Sequence, residues 1–352
     1  MSVFVIAEAG VNHNGSLDIA RELIDVAAKS GADAVKFQTF KADKVAVATA
    51  PKADYQVTST GGADSQLEMI RKLELGEDAF VALAEHARAA GIEFLSTPFD
   101  AESAAFLSQR LGVARMKIPS GEITNAPLLL AIAGLRRPMI LSTGMSTLDE
   151  IEAALGVLAF ALAGAGQPSP AAFAEAYAAS DLSDMVTLLH CTTEYPAPFA
   201  EVNLHAMDTM ARHFGLAVGY SDHTSGIAVA LAAAARGAVC VEKHFTLDRA
   251  LPGPDHAASL EPGELADMAA GIRAVEAALG SPEKVPAPSE SKNLAIARRS
   301  LVAARDIAAG DVISADALTA KRPGSGLSPM LYWDVLGSRA KRAYAKDEAI
   351  ES

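Results

Sequence analysis

The chain has 352 residues, half of them apolar, with 30 Lys and Arg against 43 Asp and Glu and a formal net charge of −13. That length allows a barrel-sized domain with a small second one, and that charge excludes the basic footprint of a nucleic-acid binder. No apolar run has the length and purity of a membrane span, and with Cys191 and Cys240 alone a disulfide scaffold is excluded, so neither nucleic acid nor membrane is an expected partner and a reducing cytoplasm is the expected compartment.

The opening run, Ser2–Ala7, has no basic region before it and is broken by Glu8, which predicts a buried first strand rather than a secretory core. Val-, Ile- and Leu-rich runs predict further strands near 34–39, 92–97, 113–118, 138–142, 185–191, 216–221 and 238–243, the first falling at 3–8. Helical period covers 19–30, 78–90, 101–111, 147–162, 227–236 and 262–279. The last of these has Pro262 at its start and Gly280 just past its end, the expected asymmetry of a helix. Eight β-then-α units are the count that closes a (β/α)8 TIM barrel, here residues 1–280, whose active site lies at the carboxyl ends of the strands.

Two connections are long. Residues 40–66 follow the second strand on the active-site side and predict a lid or specificity element. Residues 163–184 follow the fifth unit's helix and predict a helical insertion facing away from the chemistry. The barrel pattern stops at Gly280; the Pro-punctuated stretch 281–294 predicts a linker. Short extended runs at 300–303, 318–321 and 339–343 predict a small β-rich domain over 295–352. From Lys292 to Lys346 there are ten basic residues against four acidic ones, so this module is suited to meeting an anion or an acidic surface of another subunit.

The strand ends carry the chemistry. His223 and His244 follow neighbouring strands seven and eight, so a barrel places both imidazoles at one mouth, and each is flanked by a carboxylate, Asp222 and Glu242. A lone His is usually a hydrogen-bonded core residue, but two at equivalent strand ends point to a divalent-metal site with open positions. Thr97, Lys117, Ser120 and Ser142, with Lys36 and Lys243 nearby, supply the donors and positive charge that a phosphate or carboxylate needs, although Ser and Thr also cap helices. No Walker-type glycine loop points to a nucleotide. Glu8 and Glu122 suit general acid–base work, metal-linked carboxylates or sugar contacts, with a salt bridge to Lys36 or Lys117 as the plain alternative. Cys191 reads as buried packing rather than a nucleophile. Pro252–His256 is a turn by composition that carries Asp255 to the active-site side.

These segments resemble the bacterial sialic acid synthase family. The likeness lies in Ala7–Ser16, Val35–Thr39, Ser96–Phe99, Met116–Glu122, Leu141–Met145, Tyr220–Thr224, Glu242–Thr246 and Gly253–Asp255, collinear over nearly the whole chain. Residues around Lys321–Gly326 resemble the antifreeze-like (SAF) domain that follows the barrel in that family. The resemblance implies condensation of phosphoenolpyruvate with an N-acetylated mannosamine-type sugar to a nine-carbon 2-keto acid and phosphate. It implies Mn2+ or Mg2+ on His223 and His244, phosphoenolpyruvate on Thr97, Lys117, Ser120, Ser142 and Tyr195, and Glu122 organising the attacking water. Glu8, Lys36, Gln38, Tyr220 and Asp255 would contact the sugar or metal-bound water. It further implies a domain-swapped homodimer in which Arg322 of one subunit serves the partner's barrel.

Where that family often carries Asn before Tyr-Pro, this chain has Thr192-Thr193-Glu194-Tyr195-Pro196. With the 40–66 segment, this form looks more like the legionaminic acid branch, whose sugar, 2,4-diacetamido-2,4,6-trideoxymannose, has an acetamido group at C4 and a methyl at C6. A pocket for it should be less polar. The alternatives are an N-acetylneuraminate synthase using N-acetylmannosamine, a pseudaminate synthase, a metal hydrolase on the same barrel, and a non-catalytic antifreeze-like carbohydrate-binding protein.

Overall fold

The computed structural model describes residues 2–62, 64–164 and 166–351. Eight parallel strands, β1 (Phe4–Gly10), β2 (Ala34–Thr39), β3 (Glu93–Pro98), β4 (Met116–Ile118), β5 (Met139–Ser142), β6 (Val186–Cys191), β7 (Ala217–Asp222) and β8 (Cys240–His244), pair in the order β3-β2-β1-β8-β7-β6-β5-β4. β3 and β4 lie side by side and complete the ring without a ladder among the described residues. This explains why β4 is shorter than the predicted 113–118: its pairing is limited to the three residues in register with β5.

Alternate residues of a strand face opposite sides, and here the two sides differ chemically. Val5, Val35, Phe37, Met116, Leu141 and Val241 face the helices and belong to the main core. Ile6, Ala34, Leu95, Ile140, Leu189 and Cys240 face inward and form a separate apolar floor inside the barrel. Two residues further along those six strands stand Glu8, Lys36, Thr97, Ser142, Cys191 and Glu242. The polar layer is thus the next inward tier above a plug of side chains, at the carboxyl ends.

Surrounding helices begin and end where local chemistry dictates. Ser16 caps Leu17–Lys29 by accepting from the Ile19 amide, and Thr147 and Glu150 form a capping box for Leu148–Ala163, which stops at left-handed Gly164 (φ 74°). The expected helix 101–111 is split into an α-helix, Ala101–Ala105, and a π-helical turn, Phe106–Arg110. The long segment after β2 is not a loop: it holds helices Ala42–Val45, Asp54–Thr60 and Gln66–Leu73. The insertion 163–184 holds the helix Pro170–Ala178, packed against Leu148–Ala163.

The chain divides into two compact units, Met1–Gly280 and Ser281–Ser352. In the second, strands β9 (Ser300–Ala303) and β10 (Leu318–Lys321) pair antiparallel over a small core that includes Leu301, Ile307, Ile313 and Tyr344. The third predicted run, 339–343, makes no strand; it is tied in by isolated bridges such as Val312 to Arg339. The stretch 281–294 is not uniformly a linker, because the helix Ser291–Ala297 begins inside it. Among the described residues no helix is long and apolar enough to cross a membrane.

Candidate active site

The barrel mouth encloses a cavity of about 280 Å³ lined from every strand end. Its base is a buried ionic cluster. Lys36 Nζ lies 2.7 Å from Glu8 and 3.6 Å from Glu242, and Lys117 Nζ lies 3.4 Å from Glu242. Lys36 also donates to Thr97 Oγ1 at 2.9 Å, Lys117 donates to Ser142 Oγ at 2.8 Å, and Ser221 Oγ donates to Glu242 at 2.8 Å. Two ammonium groups thus face two carboxylates with almost no solvent, an arrangement that survives only because every charge has an opposite partner.

Burial pushes the Glu8 carboxyl up, and the like charge of Glu242 adds to that against the pull of Lys36. Burial would raise Glu242 as well, but Lys117 and Lys36 together outweigh it and hold this carboxyl down. Burial lowers the Lys117 ammonium, against the pull of Glu242, so an incoming anion would favour its charged form. Burial alone raises Asp255 to about 6.

Over β4–β6 the donors change to hydroxyls. Ser120 Oγ accepts from the Gly144 amide at 2.9 Å and lies 3.2 Å from Cys191 Sγ, while the buried Thr193 Oγ1 has no hydrogen-bond partner. Gly144 makes this cradle: a Cβ there would stand 2.3 Å from Thr193 Oγ1 and 2.9 Å from Ser120 Oγ. Burial raises the Cys191 thiol, in keeping with a packing role.

The two histidines stand over β7 and β8, their ring centroids 5.7 Å apart. His223 Nδ1 donates to the Thr192 carbonyl at 2.6 Å, which leaves the Nε2 lone pair facing the barrel interior, 3.3 Å from Ser221 Oγ. A ring held by a backbone carbonyl through its other nitrogen is the usual support of a metal-ligating imidazole. His244 Nδ1 is buried without a hydrogen-bond partner, 3.9 Å from Asp255. Burial lowers His223 to about 4 and His244 well below its ordinary value, so both are neutral and have lone pairs to give. The pair fits a divalent ion, although among the described residues no cluster of three or more His, Cys, Asp or Glu stands ready to hold one.

Aromatic rings close the site. Tyr195 packs on His223 with centroids 4.3 Å apart, and Tyr55, from the segment after β2, packs on Tyr195 at 5.1 Å. That segment also touches the turn after β8, where Ser59 Oγ donates to the Pro254 carbonyl at 3.3 Å.

Glu8, Lys36, Gln38, Thr97, Lys117, Ser120, Ser142, Tyr195, His223, His244 and Asp255 therefore converge on one cavity. Two residues expected in this barrel's site, Tyr220 and Glu122, do not line it. Tyr220 faces the helices, its ring beside His190 and its hydroxyl buried without a partner, because it is one residue out of phase with inward-facing Ser221. Glu122 lies in the 3-10 turn Ser120–Glu122, its carboxylate accepting from Asn125 at 2.7 Å. Arg322 belongs to the second unit, where it is exposed and its Nε donates to the Ala297 carbonyl at 2.9 Å.

Glu242, Ser221 and Thr193 also line the cavity, beyond the residues expected from the sequence. Two-residue phase would have found the first, since Glu242 precedes His244 by two. Asp222, the other carboxylate beside a candidate histidine, faces outward and pairs with Lys243 at 2.9 Å.

The model of the NeuB family matches residues 23–284, and that of the SAF domain matches residues 298–351. The chain belongs to the NeuB family. It is 51% identical to the N,N'-diacetyllegionaminic acid synthase of Campylobacter jejuni, over 98% of each chain. To the protein of the same name in Legionella pneumophila it is 47% identical, over 96% of this chain and 90% of that one. The crystal structure of the N-acetylneuraminic acid synthetase of Leptospira borgpetersenii superposes with a TM-score of 0.68 at 33% identity, covering 84% of this chain and 90% of that one. The TIM barrel with a C-terminal SAF domain is thus the NeuB arrangement, and the converging residues are this NeuB chain's candidate active site.

Proposed function

We propose that this chain condenses phosphoenolpyruvate with 2,4-diacetamido-2,4,6-trideoxymannose and water, giving N,N'-diacetyllegionaminic acid and inorganic phosphate. The near-full-length identity to the Campylobacter jejuni synthase carries this reading. The cavity supports it, with donors for a dianion on one side and two neutral imidazoles on another.

Lys117, Ser120, Ser142 and Thr193 hold the phosphate and fix phosphoenolpyruvate with C3 toward the histidines. Thr97 and Tyr195 complete its seat. Glu8, Lys36, Gln38 and Asp255 bind the open-chain sugar. A Mn2+ or Mg2+ ion on His223 and His244 would polarise the aldehyde as a Lewis acid. C3 of phosphoenolpyruvate forms the new bond to the aldehyde carbon, whose oxygen takes up a proton. Water then adds at C2, and cleavage of the C–O bond releases phosphate and leaves the ketone. Tyr55 and Tyr195 exclude bulk water from this step. The enzyme works in the cytoplasm as a homodimer, the Arg322 of each subunit serving the partner's barrel.

Phosphate release and product mass are measured with phosphoenolpyruvate and Mn2+, offering the trideoxy sugar or N-acetylmannosamine in parallel. Preference for the trideoxy sugar is expected; preference for N-acetylmannosamine makes the protein a sialic acid synthase instead, and no release with either overturns both and moves the test to the pseudaminate precursor. For the metal, Mn2+ should raise the melting temperature of the native chain, and His244→Ala should remove both that rise and turnover. Turnover near wild type in His244→Ala with Mn2+ in excess would end the metal assignment.

A further inference from the structure

The mouth of the barrel is divided into sectors of different chemistry. The donors assigned to the phosphate, Lys117, Ser120, Ser142 and Thr193, stand over β4–β6 and the imidazoles over β7–β8. The remaining sector, over β1–β3, carries Glu8, Lys36, Gln38 and Thr97 on the strand ends and is walled beyond them by apolar side chains: Val45, Met69, Ile70 and Leu73 from the segment after β2, with Phe40 and Phe99. All of these apolar side chains but Met69 belong to a hydrophobic cluster distinct from the barrel core, anchored on Val11, Phe40 and Leu73, which are buried. The wall is held in place by polar ties. Lys52, its side chain 2% exposed, reaches Asp64 at 2.9 Å, the Thr60 hydroxyl at 3.0 Å and the Gly61 carbonyl at 2.9 Å.

We infer that this wall receives the C6 methyl of the sugar and sets the preference for a 6-deoxy substrate. The inference rests on the synthase reading above. The aldehyde carbon must lie at the imidazoles and within reach of C3 of phosphoenolpyruvate, which occupies the β4–β6 sector. The open sugar chain then has one direction left, toward β1–β3, and its far end meets Val45 and Ile70. A methyl there exchanges water for apolar contact. A C6 hydroxyl is stripped of water and finds, on these side chains, no partner. Gln66, which also lines the cavity, and the Gln56 side-chain nitrogen, whose oxygen accepts from the Ala53 amide, stay available to the amide of the C4 substituent.

Val45→Thr places a hydroxyl in the wall at little change in volume, and Ile70→Thr does so with loss of the Cδ1 methyl; both positions are only partly buried, so folding is not at stake. The measurement is kcat/KM for 2,4-diacetamido-2,4,6-trideoxymannose and for its 6-hydroxy counterpart, with the KM for phosphoenolpyruvate read alongside. The wild-type protein should favour the 6-deoxy sugar by about tenfold or more, the usual discrimination of an apolar pocket. Each variant should narrow that ratio by roughly threefold or more while the phosphoenolpyruvate KM stays put. A wild-type enzyme that uses the trideoxy sugar but shows a ratio near one, or a ratio unmoved in both variants, overturns the wall as selector and leaves the synthase reading standing. Absence of phosphate release from the wild type with either diacetamido sugar overturns the synthase reading, and the inference with it.

Discussion

Gly144 shows how much one missing side chain can decide. Its amide points at Ser120 Oγ, and a Cβ would fall within 2.3 Å of Thr193 Oγ1, in the space assigned to the phosphate. Gly144→Ala should therefore raise the KM for phosphoenolpyruvate by at least about tenfold, because the donors are displaced from the positions at which they meet the anion. The melting temperature should move little, since the intruding group displaces hydroxyls rather than core. Steady-state kinetics with thermal unfolding would check this; an unchanged KM would remove Gly144 and Thr193 from the phosphate seat. Neither role was evident beforehand: Leu141–Gly144 reads as a strand end with polar residues, and a close approach becomes visible only with the atoms of β4 and β6 beside it. Tyr220 illustrates the opposite case. It sits at a strand end and is chemically useful, yet the two-residue phase of β7 turns it to the helices while Ser221 faces in.

At the scale of elements, the segment after β2 combines two functions that its sequence hardly separates. Its helices lay one apolar face over Val11 and Phe40, and its polar residues tie the ends together through Lys52, Asp64 and Lys72. The Lys72 to Asp64 pair is largely exposed and contributes little. Lys52 is different, being enclosed with three partners. Lys52→Met should loosen the segment, raising the KM for the sugar several-fold and that for phosphoenolpyruvate much less. Faster proteolysis of the native chain between 46 and 64 should accompany it, since local stability there depends on few contacts. A variant with wild-type sugar KM and wild-type protease resistance would show that Lys52 does not hold the wall. The segment's length alone predicts a lid or specificity element on the active-site side, and the segment does line the cavity there. Length does not predict three helices, because each is short and their apolar positions make sense only against the partner surfaces of β1–β3.

For the whole molecule, the chain segregates its charge, with ten basic against four acidic residues from Lys292 to Lys346 in a protein of net charge −13. The second unit has a core of its own and carries Arg322 on its surface. In the proposed homodimer, Arg322→Ala should lower turnover by about tenfold or more with the melting temperature unchanged, as loss of a charge-assisted contact made to substrate would do. Co-expression with His244→Ala subunits should then restore activity, because a mixed dimer contains one barrel with intact histidines served by one intact arginine. Mixed dimers as inactive as their parents would overturn the shared site.

The order of strands and helices, the count that closes a barrel and the chemical type of each strand end were set by the sequence alone. Periodicity and composition are local properties, and burial in a (β/α)8 fold follows from them with little freedom. That Lys36, Lys117, Glu8 and Glu242 share one buried cluster was decided by tertiary structure. So were the inward turn of Glu242 against the outward turn of Asp222, and the apolar wall over β1–β3. Each depends on strand phase and on which distant elements the closed ring brings within a few ångströms, and hydrogen bonds and desolvation act only at that range.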